Sequence, residues 1–85
     1  MAKVNLGEVV NAMIFSKNGL TIGTQATSVS VPISVGKQPK AIIAVPQGGA
    51  PFYCSVNYWS QTEAVIGVKA EENLTNRSIQ IIAIL

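Results

Sequence analysis

Three observations predict an all-β chain folded as a small antiparallel β-sandwich of six to seven strands. Val29, Val31, Ile33 and Val35 alternate with Ser28, Ser30, Pro32 and Ser34, the period of a strand with one face buried and one in water. Short apolar runs recur about every ten residues between clusters of Gly, Pro, Asn and Ser, which is sandwich or barrel spacing. The carboxyl-terminal stretch Arg77–Leu85 is rich in isoleucine and holds no Gly or Pro, so it reads as a strand and not as a tail.

Two units follow from a pass along the chain, an amino-terminal arm at 1–11 and a β-sandwich domain at 12–85. Over residues 4–15, Leu6, Val9, Val10, Met13 and Ile14 recur at helical spacing, and Asn5 with Glu8 fits a capping box. Gly7 weakens that helix, so the arm is read as a short helix or an extended segment, followed by strand from Ala12. Ser16-Lys17-Asn18-Gly19 predicts a hairpin turn, because Asn-Gly tolerates positive φ. Leu20 and Ile22 would begin the returning arm. The alternating run Ala26–Val35 predicts a half-exposed strand, and Pro32 places it at a sheet edge or a bulge. Lys40–Val45 is a strand apolar on both faces, and Pro46–Pro51 is a loop. In Phe52–Trp59, Phe52, Cys54, Val56 and Tyr58 share one face, with Tyr53, Ser55, Asn57 and Trp59 on the other. After a turn at Ser60–Glu63, Ala64, Ile66 and Val68 point inward and Val65, Gly67 and Lys69 outward. Glu71–Asn76 is a polar return to the last strand.

That last strand sets the expectation about assembly. Ile79, Ile81, Ala83 and Leu85 share the face assigned to the sandwich interior, while Ile82 and Ile84 lie on the opposite face. A strand apolar on both sides needs cover on both sides, and a thin sandwich supplies one. Composition points the same way: charged residues are 12% and hydrophobic residues 48% of a chain of 85 residues. A domain this small is marginal alone and is usually supported by disulfides, a metal or oligomerisation. Cys54 is the single cysteine, and His and Asp are absent, which leaves no intrachain disulfide and no metal site. Self-association remains, with Leu6, Val9, Val10, Ile82 and Ile84 as candidate interface residues.

The same inventory argues against an enzyme. The carboxylates are Glu8, Glu63, Glu71 and Glu72 only, with no pair placed for acid–base work. Cys54 has no histidine to activate it and sits on an apolar face. Gln47-Gly48-Gly49 lacks the Lys and Ser/Thr of a phosphate loop, and no cofactor is expected. Net charge is +2 with scattered basic residues, and none falls between Phe52 and Ser60, which argues against a nucleic-acid partner. The opening residues lack a signal-peptide core and no run reaches membrane-spanning length, so no membrane partner and synthesis in a cytoplasm are expected. Recognition falls to Tyr53, Asn57 and Trp59, the candidate ligand-binding residues. An aromatic face beside an amide suits sugars, whose C–H faces stack on rings and whose hydroxyls bond to amides. The competing role for these rings is packing against a neighbouring subunit.

The order of the pieces resembles a known family. A turn followed by Gly19-Leu20, an alternating strand ending in Val31-Pro32-Ile33, Lys40-Ala41-Ile42-Ile43-Ala44-Val45, Ala64-Val65-Ile66-Gly67-Val68 and a terminal Ile82-Ala83-Ile84 are similar to the carboxyl-terminal β-sandwich of bacteriophage tail fibres, which is related in shape to H-type lectins. The resemblance covers residues 12–85 and rests on the order of all these motifs. The chain departs from the family at Ile81 and Leu85, where members often carry Trp and Gly. The resemblance implies a homotrimer and a non-enzymatic virion protein, whether a short fibre, a decoration protein or a tail-tip head. Its implied partners are other virion proteins and a host-surface glycan. A lectin-like adhesion module is the alternative it implies.

Overall fold

The computed structural model describes residues 12–85. The arm at 1–11, with Leu6, Val9 and Val10, lies outside the described residues. Six strands run in the order β1 (Ala12–Ile22), β2 (Thr27–Pro32), β3 (Ala41–Gln47), β4 (Tyr53–Trp59), β5 (Glu63–Lys69) and β6 (Leu74–Ile84). They form two three-stranded antiparallel sheets, β1-β6-β3 and β2-β5-β4. The all-β expectation holds, at the lower end of the expected strand count.

The centre strands β5 and β6 carry the core. Ala64, Ile66 and Val68 on β5 and Ile79, Ile81 and Ala83 on β6 are all buried, each set on alternate positions of its strand. Ile22, Val31, Ile33, Ile42, Phe52, Ala70 and Leu74 complete the buried cluster. Each fully enclosed isoleucine contributes roughly 1.5–3 kcal/mol relative to exposure. Pro32 lies on β2, an edge strand of its sheet, where a missing N–H is tolerated.

The expected hairpin at Ser16–Gly19 is not formed. β1 continues through it as one strand paired with β6, which is why the strand count is six. Between Lys17 and Leu20 the chain advances three positions while β6 advances two, from Ile79 to Arg77. The extra residue is a bulge, with Gly19 at φ +69. An Asn-Gly pair serves a bulge as readily as a turn, because both use positive φ at the glycine; in the bulge Gly19 alone takes it. A second bulge follows at once on the other strand. β6 advances three positions from Leu74 to Arg77 against two on β1, and Asn76 has φ 55. The two insertions cancel, so Ile22 returns opposite Leu74 and both side chains are buried. β6 therefore begins at Leu74, in the segment expected to be a loop.

Gly19 has open space where a Cβ would stand, so only its backbone angle resists substitution. Gly19→Ala is expected to cost about 1–2 kcal/mol. Gly49, with equal space and no positive φ, is the control, and Gly49→Ala should leave stability unchanged or slightly raised. Urea denaturation of the three proteins compares them.

Candidate functional site

The outer face of β2-β5-β4 is polar and slightly hollow. Across it run the rows Ser28–Gly67–Ser55 and Ser30–Val65–Tyr58, with Tyr53 opposite Lys69. Gly67 makes the hollow. A Cβ there would lie 2.7 Å from Ser55 Oγ and 2.9 Å from Asn57 Nδ2, so these two side chains lean over the space that a larger residue would fill. Ser55 Oγ donates to Asn57 Oδ1 at 2.9 Å. The resulting groove holds about 270 Å³ and is lined by Tyr53, Cys54, Ser55, Asn57, Gly67 and Lys69, among others.

Of the three residues expected to make a recognition face, the structure brings two together. Tyr53 and Asn57 line the groove; Trp59 does not. The pairing shifts between Val56–Ile66 and Tyr58–Val65, which makes Asn57 the extra residue of a bulge. Past the bulge the alternation is inverted. Tyr58 faces outward and is 55% exposed, while Trp59 turns to the core side opposite Ala64. The indole N–H donates to the Pro39 carbonyl at 2.7 Å. Trp59 thus pins the connection between β2 and β3 and is half-buried by its own chain. The alternation that put Trp59 on one face with Tyr53, Ser55 and Asn57 is corrected. Sequence reasoning missed Ser55 and Gly67 as groove residues. A glycine in mid-strand was the available signal, since it marks a close approach or a bulge.

Tyr53 is held by Glu71, its hydroxyl donating to Oε1 at 2.9 Å. That hydrogen bond, the carboxylate's charge and slight desolvation raise the phenol pKa above the ordinary 10.0. Burial likewise pushes the Cys54 thiol up, which disfavours the reactive thiolate. Among the described residues no cluster of three or more His, Cys, Asp or Glu is placed to hold a metal ion.

The second surface is the outer face of β1-β6-β3. Ile82 lies between Ile14 and Ile43, and Ile84 between Ala12 and Ala41. Ile14 is 65% exposed and Ile43 42%. Ile82 and Ile84 occupy the face assigned to them, opposite the buried Ile79, Ile81 and Ala83. Their companions Ile14 and Ile43 were not singled out, because the register that aligns them is not written in any one strand. No described residue covers this face.

No protein-family model matches the chain, and no curated protein or solved structure matches it. The fold and its surfaces define a class, a six-stranded antiparallel β-sandwich with one aliphatic sheet face uncovered and one polar sheet face hollowed.

The Tyr53–Glu71 contact is testable by absorbance titration in a Tyr58→Phe background, where one phenol remains. Tyr53 should titrate above 10.0, and Glu71→Gln should lower its midpoint. The folded chain holds this proton more tightly than the unfolded chain does. The contact therefore stabilises fully below the unfolded pKa, and the gain is lost as pH rises through the folded pKa.

Proposed function

We propose that this chain is a non-enzymatic structural protein of a bacteriophage virion, a short fibre, decoration or tail-tip head that assembles as a homotrimer. The observation that carries the reading is the aliphatic face Ile14–Ile82–Ile43 with Ile84. A small chain with few charges that leaves such a strip in water is poorly soluble alone, and covering it with copies of itself removes the cost. The resemblance of residues 12–85 to tail-fibre sandwiches supports the virion context and the threefold symmetry. Contacts with other virion proteins and with the host surface belong to the same reading.

A second reading, a carbohydrate-binding adhesion module, is favoured by the groove at Tyr53, Ser55 and Asn57. A tyrosine ring beside hydroxyl and amide groups offers a stacking surface and hydrogen bonds to a sugar. The two readings are compatible, since the groove and the aliphatic strip lie on different sheets. A glycan array on the purified protein tests the second. Binding that disappears in Gly67→Val, which fills the hollow, supports it, and an empty array removes it.

Light scattering tests the first reading. The wild-type chain should have three times the protomer mass of 8.9 kDa. Ile84→Lys, which buries an unpaired charge beside its symmetry mates, should dissociate or fail to fold. Ser78→Lys, at the polar end of the same face, should keep the trimer. An Ile84→Lys protein with unchanged mass and melting temperature would move the interface elsewhere. Mass spectrometry of particles produced by the encoding genome checks the virion assignment.

A further inference from the structure

We propose that the sheet β1-β6-β3 continues from one copy of the chain into the next. The outer edge of β1 pairs with the outer edge of β3 of a neighbour, and three copies close a nine-stranded barrel with Ile14, Ile82 and Ile43 inside. This rests on the homotrimer reading above and adds how the copies join.

The first argument is the distribution of edge protection. An edge strand exposes unpaired N–H and C=O groups, and proteins blunt such edges with proline, lysine or bulges. β2 carries Pro32, and β4 carries the bulge at Asn57. In the other sheet the blunting residues lie in one row, since Lys17 and Pro46 both pair with Ile79. The bulge of β1 lies on the same side of that row as Gly19. On the opposite side, Ala12–Ser16 and Ala41–Val45 hold no charge, no proline and no bulge. The two unguarded windows match in length and in row, each running from the partner of Ile84 to the partner of Gln80. Among the described residues nothing pairs with either edge.

Direction is the second argument. β1 and β3 are both antiparallel to β6, so they are parallel to each other. Joining β1 of one copy to β3 of the next leaves every copy pointing the same way, the condition for a ring about a single axis. The third argument is size. The uncovered strip spans three strands and three rows, about 10 Å by 14 Å. Flat stacking of so small a strip falls far short of the roughly 800 Å² per partner of a standard interface. Edge joints add main-chain hydrogen bonds and enclose the strip from all sides. A barrel of about eight strands is filled by its own side chains, and larger ones leave a lumen. Three copies give nine strands, and four would give twelve.

Cysteine pairs test the joint in a Cys54→Ala background. Ala12→Cys or Ile14→Cys is combined with Ala41→Cys or Ile43→Cys, four pairs in all. Within one protomer β6 separates the two strands by about 9.6 Å, beyond the roughly 7 Å that a disulfide spans. Oxidation should therefore yield covalent dimers and closed trimers on a non-reducing gel in at least one pair. Hydrogen exchange on the unaltered chain is the second measurement. The amides of Ala12–Ser16 and Ala41–Val45 should all be protected, whereas a free edge leaves alternate amides fast. A wild-type trimer with no cross-linking pair and fast alternate amides overturns the edge joint and leaves the homotrimer standing. A wild-type mass of 8.9 kDa overturns both.

Discussion

The structure depends on β6. It is the centre strand of its sheet, it pairs with a strand on each side, and it is apolar on both faces along its second half. Ile79, Ile81 and Ala83 are completely enclosed, so this one strand ties β1 and β3 together and supplies the floor on which β5 packs. With no disulfide and no described metal cluster, burial by the two centre strands is the main stabilising term. The same strand brings Ile82 and Ile84 to the other side. A sequence that makes β6 good enough to hold the core also makes its outer face apolar.

Bulges decide what the rest of the surface presents. The paired bulges on β1 and β6 cancel, so a strand of eleven residues keeps its core register across an irregular stretch. The lone bulge at Asn57 has no counterpart on β5, and its inversion persists to the end of β4. It exchanges Tyr58 for Trp59 on the outer face. The exchange lets the indole N–H of the half-buried Trp59 reach the Pro39 carbonyl, and it turns Tyr58 to the outer face. One inserted residue thus anchors a long connection and remodels the groove.

The two sheets divide the labour. One outer face is hydroxyl-rich, with Ser30 bonded to Glu63 at 2.6 Å and Tyr53 to Glu71. The other is aliphatic and uncharged at the end away from Lys17. The proposed association through the aliphatic sheet would leave the other open to solvent, which suits a protein assembled into a larger particle with one side outward. The proposals about virion, glycan and ring closure all draw on this separation.

Alternation by itself determined the all-β class and the inward faces of β2, β5 and β6, and the missing N–H of Pro32 narrowed β2 to an edge or a bulge. Period two is local, and Val29, Ile66 or Ile81 each announce their face through neighbours two positions away. The final strand's division into Ile79, Ile81 and Ala83 against Ile82 and Ile84 was legible for the same reason. Tertiary pairing alone decided what Asn18-Gly19 does, because a turn and a bulge both use positive φ at Gly19 and the choice between them depends on whether β6 lies alongside. It also decided Trp59, whose face depends on one unpaired residue opposite β5, and the row Ile14–Ile82–Ile43, whose members lie far apart in the chain. Register is a relation between strands, and a relation between strands is settled only when they pack.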